Sequence, residues 1–134
     1  MSLASYIGFN VEMPINDDSV DLVTIGICFS DEEHRINVQK YQFTTLYVYE
    51  VLSDWGINIS IYTIKRTCKE SKEKLIRLCE IMNEYLEKGD YFELYSCWIS
   101  EETEKRDGEQ TLQLNNYVID KISIPEKTLV RFEK

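Results

Sequence analysis

The sequence predicts an α+β protein: an antiparallel sheet of about five to six strands with one long helix, about residues 67–88, packed on one face. Three observations predict it. Apolar residues recur at helical spacing in TCKESKEKLIRLCEIMNEYLEKG, where Leu75, Leu78, Cys79, Met82, Tyr85 and Leu86 form one stripe. On either side lie short runs rich in β-branched and aromatic residues, bounded by turn formers. The chain of 134 residues contains only 2 prolines and 5 glycines, with no repeat and no Ser/Gly-rich or Pro-rich linker. A single domain, 1–134, follows, and a hydrophobic content of 43% is enough to give it a packed core.

The elements are read in order. SYIGFNVE (5–12) is a strand and MPINDD (13–18) a turn. VDLVTIGICF (20–29) is a strand whose wholly apolar face, Val23, Ile25, Ile27 and Phe29, belongs to the core. SDEEHR is a charged connection, and INVQKYQF (36–43) alternates enough to read as a strand. LYVYEVL (46–52) also fits one short helix ending at Gly56, but its two valines and two tyrosines favour a strand. SDWG then links it, as a hairpin connection, to INISIYTI (57–64), a half-buried strand. The long helix is read with Thr67 and Glu70 as a capping box, opposite charges four apart at Glu70–Lys74, Glu73–Arg77 and Glu84–Lys88, and Gly89 as the stop. YFELYSCW (91–98) is a strand, SEETEKRDGEQ a solvated loop turning at Asp107-Gly108, and TLQL (111–114) a short strand. YVIDKISI (117–124) and TLVRFEK (128–134) are strands on either side of Pro125.

Charge narrows the function classes. Lys and Arg total 15 against 24 Asp and Glu, a net −9. That field opposes nucleic acid and anionic membrane surfaces, and it suits a basic protein partner. No apolar run approaches the ~20 residues of a membrane helix, and the N-terminus lacks the pattern of a signal peptide. The four cysteines, at 28, 68, 79 and 97, form no CxxC pair and lie away from His34 in the sequence, so no metal or other cofactor is expected. They read as reduced thiols of a cytoplasmic protein.

No residue is nominated as catalytic. Cys97 has acidic neighbours, which work against a thiolate, and no base nearby in sequence. No GxGxxG, GxxxxGK[ST], HExxH or GxSxG motif occurs. Glu50 in VYEV and Glu93 in FEL are two strand carboxylates among tyrosines, the apparatus of an acid–base pair if they share a pocket. The tyrosines are the more unusual feature, since 9 are present and tyrosine supplies rigid, amphipathic contact area. Tyr47, Tyr49, Tyr91 and Tyr95, with Glu50 and Glu93, therefore form the candidate binding set, expected on an open sheet face opposite the helix.

YVYEV at 47–51, Gly56, a helix and then ELYSCW at 93–98 resemble an uncharacterised family of small bacterial proteins over roughly residues 40–134. The resemblance implies no activity. The family pattern has cysteines just after the glycine, where this chain has Ile57, Asn58 and Ile59, so no metal or redox role carries over. Small acidic α+β proteins are also similar in type to bacterial immunity proteins that neutralise basic toxin domains. The leading expectation is a protein-binding module for a basic partner. The alternatives are a small enzyme or ligand-binding domain using Glu50 and Glu93, and a homodimer joined through sheet faces or edges.

Overall fold

The structure, a computed structural model, describes residues 3–12, 23–26, 32–52, 56–60 and 65–134. It is α+β, and the described residues form six strands in one sheet and two helices. In chain order these are β1 (Leu3–Phe9), β2 (Thr24–Gly26), α1 (Glu32–Gln42), β3 (Tyr47–Leu52), α2 (Lys65–Tyr85), β4 (Tyr91–Trp98), β5 (Gly108–Gln113) and β6 (Thr128–Glu133). The strand order is β2-β3-β1-β4-β6-β5. Every pairing is antiparallel except the last: β5 runs parallel to β6, so the sheet is mixed. A parallel pair needs a crossover, and residues 114–127 supply it.

α2 forms as its stripe predicts. Leu75, Leu78, Ile81 and Met82 are buried against Ile7, Phe9, Ile25, Tyr49, Val51, Phe92, Leu94, Val130 and Phe132 of the sheet. The rings of Phe92 and Phe132 stack at 5.0 Å. Each such side chain contributes about 1.5–3 kcal/mol by leaving water. The first helical residue is Lys65, so Thr67 lies inside the first turn and is not the cap of a capping box. Glu70 pairs with Arg66, one turn earlier. The helix ends at Tyr85, three residues short of 88. Lys134 Nζ then donates to the carbonyls of Asn83 and Leu86, at 2.9 and 2.7 Å, satisfying acceptors that the helix end leaves open. Gly89 sits beyond, at a φ of 97° that suits glycine.

Two expected strands, 36–43 and 117–124, are something else, and the one expected over 57–64 is described only to residue 60. Residues 36–43 lie mostly in α1, whose buried positions Val38 and Gln42 are four apart. The apparent alternation came from Ile36 and Val38, of which Val38 is buried and Ile36 is exposed. Glu32 and Glu33 in the first turn and Lys40 in the last complement the helix dipole. Over the described residues 57–60, Ile57 and Ile59 do turn into the core, and the backbone there makes an isolated bridge, Ile59 with Ile124. Residues 117–124 carry a 3-10 turn at Ile119–Lys121 instead of a strand, and Tyr117, Ile119 and Ile122 pack on the α2 side. The strand at 111–114 is longer than expected and starts at Gly108. The turn at 13–18, the SDWG link except Gly56, Ile27, Phe29 and residues 61–64 lie outside the described residues.

Candidate functional site

The sheet face opposite α2 is not open. Ala4, Tyr6, Val48, Tyr95, Cys97 and Leu129 on that face pack with Val38 of α1 and with Phe43. The segment after α1 comes so close that a Cβ at Gly8 would collide with Thr45 Oγ1 and lie 2.5 Å from Phe43 Cδ1. α1 is also tied to the loop after β4. Gln42 Nε2 donates to the carbonyls of Glu102 and Glu104 at 3.0 and 2.8 Å, and Arg106 donates to the Gln42 carbonyl at 2.8 Å. His34 Nδ1 meets Glu102 at 2.5 Å, and Glu102 is buried. The acidic loop is therefore only partly a solvated one.

This packing separates the six candidate residues. Glu50, Glu93 and Tyr95 share the α1 face and are fully buried there. Tyr49 points the other way, into the α2 core, and is also buried. Tyr91 is half-buried, with the Arg131 guanidinium 4.2 Å from its ring centre. Tyr47 is 39% exposed. The expected continuous tyrosine-and-acid surface is thus divided between two cores and the solvent, because α1 covers the face expected to be open. Tyr95 OH is buried and has no hydrogen-bond partner among the described residues, and burial raises its pKa.

Glu93 is held by three hydrogen bonds. Its Oε1 accepts from the backbone N–H and the hydroxyl of Thr44, both at 2.9 Å, and its Oε2 accepts from Arg131 at 3.2 Å. Arg131 is its register partner on β6. Glu50 lies across β1, opposite Tyr6, which in turn faces Tyr95. Two strand spacings and a two-residue offset put the Cα atoms of Glu50 and Glu93 about 12 Å apart.

A cleft of about 440 Å³ opens beside Glu93, lined by Thr44, Arg106, Glu109, Gln110, Thr111, Leu129 and Arg131 but not by Glu50. Sequence reasoning missed its two arginines. Arg131 becomes a partner of Glu93 only through the β4–β6 register, which one chain read by itself does not disclose.

A second surface feature lies at the end of the sheet where β1 stops and β3 starts. Phe9 is the register partner of Tyr47, and Asn10 Oδ1 accepts from the Leu46 N–H at 3.1 Å. Leu46 is 72% exposed and Val11 55%, so both stand in solvent beside Tyr47. The chain beyond Val11 continues with Glu12, Asp17, Asp18 and Asp21.

Two of the thiols, Cys79 and Cys97, are chemically quiet. Cys97 is fully buried, and burial followed by the nearby carboxylates of Glu102 and Glu101 pushes its pKa to about 12. Burial pushes Cys79 up to about 12 as well, against a hydrogen bond from Tyr117 that lowers it. Cys68 is half-buried and free, and Cys28 lies outside the described residues. Among the described residues, no group of three or more His, Cys, Asp or Glu is placed to hold a metal ion, and no helix is long and apolar enough to cross a membrane.

Compared with protein-family models, curated proteins and solved structures, the chain matches none, so the resemblance carried by YVYEV and ELYSCW rests on those residues alone.

Proposed function

We propose that this chain is a non-enzymatic protein-binding module for a basic partner, immunity-like in type. The observation that carries the reading is the pair Leu46 and Tyr47, exposed with Val11 at one end of the sheet, where Val11 is followed in sequence by acidic residues. Leu46 alone is 72% exposed, on a residue type that normally gains by burial. A net charge of −9 draws in a basic surface and speeds the encounter, while the apolar residues supply the contact once it forms. The buried carboxylates support the same reading. Glu93 spends its oxygens on Thr44 and Arg131, which suits a clamp better than an acid–base catalyst.

The test is association of the purified chain with the proteins encoded by neighbouring genes, followed by biolayer interferometry at low and high salt. At least one should bind, and more slowly as salt rises. No association at any salt, or an association rate that ignores salt, contradicts the reading. Sedimentation of the chain alone adds a second check: a homodimer that Leu46→Glu dissolves would mean that a second copy covers this surface.

A further inference from the structure

The cleft beside Glu93 has a chemical character of its own, separate from the sheet-end surface. Its floor is Leu129, and Arg106 and Arg131 both line it. Each guanidinium is held from behind. Arg131 rests on the Tyr91 ring at 4.2 Å and donates through one nitrogen to Glu93 and Thr44. Arg106 donates to the Gln42 carbonyl at 2.8 Å and to Glu109 at 3.1 Å. A guanidinium has five N–H donors, so both arginines keep donors for a further acceptor, already ordered and with little freedom left to lose.

The two carboxylates at the cleft differ. Glu93 is fully buried and held by three hydrogen bonds, so it offsets Arg131 permanently. Glu109 is 73% exposed, and an exposed ion pair of that kind is weak. When Glu109 lets go, the cleft keeps one positive charge, a planar donor array and an apolar floor. That combination matches one carboxylate on a small apolar body. A doubly charged anion would leave a negative charge uncompensated. The volume of about 440 Å³ falls in the range of small-ligand sites. We propose that this cleft binds a small monocarboxylate, whose carboxylate takes the place of Glu109 on Arg106.

The probe is sodium benzoate, added to the full chain at constant ionic strength and followed by NMR through the Arg106 and Arg131 Nε–H signals. Benzyl alcohol serves as the neutral analogue and inorganic phosphate as the multivalent anion. Benzoate should shift both arginine signals saturably with a Kd of about 1 mM or tighter, and more tightly than either control. Arg106→Gln should abolish the effect. Glu109→Gln should tighten binding by up to about fivefold, because it removes the competitor, a gain that a damaged fold could not produce. The proposal is overturned if benzoate does not saturate, if benzyl alcohol or phosphate binds as tightly, or if Glu109→Gln leaves the affinity unchanged or weaker.

Discussion

Glu93 and Thr44 lie 49 residues apart in the chain and meet twice, through the Thr44 backbone N–H and its hydroxyl, both 2.9 Å from one carboxylate oxygen. The pair fastens the segment after α1 to the middle of the sheet, and Arg131 completes it from β6. Glu93→Gln keeps the shape but turns an amide N–H₂ toward either the Arg131 or the Thr44 donors. A loss of about 1–3 kcal/mol in urea unfolding is expected, the magnitude for a buried donor left without its acceptor. Thr44→Val, which removes the hydroxyl's bonds to Glu93 and Arg131 but keeps the backbone one, should lose about 1 kcal/mol. A Glu93→Gln protein as stable as the parent would show that the clamp is decorative.

Gly8 is the matching constraint on the sheet side. A methyl group there meets Thr45 Oγ1 and Phe43 Cδ1, and one belongs to a ring already packed edge-on against Tyr95 at 6.4 Å. Gly8→Ala should destabilise by about 1–3 kcal/mol through overpacking. Thr45→Ala removes the nearer obstacle, so in a double-mutant cycle it should return part of that loss. Simple additivity of the two changes would place the segment farther from β1 than described.

These two contacts also mark what the sequence could and could not disclose. α2 was legible from its helical period, and β3, β4 and β6 from their β-branched and aromatic composition between turn formers; the YFELYSCW strand spans 91–98 as read. α1 was not, because its buried stripe is thin: Val38 and Gln42 alone are buried, with Ile36 and Tyr41 pointing out. Missing α1 turned Glu50, Glu93 and Tyr95 from core residues into an imagined surface. Arg106 and Arg131 were hidden for a different reason, since a cleft between strands depends on register and on a parallel β5–β6 pair that no local pattern announces.

Tyr95 offers a direct check on that burial. Its hydroxyl is enclosed without a hydrogen-bond partner among the described residues, and an unpaired buried polar group costs about 1–3 kcal/mol. Tyr95→Phe should therefore leave thermal stability unchanged or raise it. A marked loss on this substitution would mean that the hydroxyl has a partner.

The thiols predict a pH window. In both Cys79 and Cys97 the pKa is raised from an ordinary 9.0 to about 12 by burial. A raised thiol pKa means that the folded state holds its proton more tightly than the unfolded chain does. The stability linked to that proton is fully present below about 9 and is lost as pH climbs toward 12. Unfolding midpoints should therefore be insensitive to these thiols up to about pH 8 and fall steadily above it. At pH 8, iodoacetamide mapped by mass spectrometry should label half-buried Cys68 well before Cys79 or Cys97. Equal labelling of all three in the folded protein would contradict the burial.

Leu46→Glu bears most directly on the central claim, that the exposed Leu46 and Tyr47 at the end of the sheet form the centre of a partner's contact. The side chain is 72% exposed, so the fold should tolerate the change and the melting temperature should hold. The measurement is the Kd of the partner for the parent and for Leu46→Glu, side by side at one salt concentration. Loss of a contact centre predicts a weakening of at least about 30-fold, mainly through faster dissociation. A Kd within about twofold of the parent, at or below the effect of an ordinary rim charge, would place the partner elsewhere on the molecule.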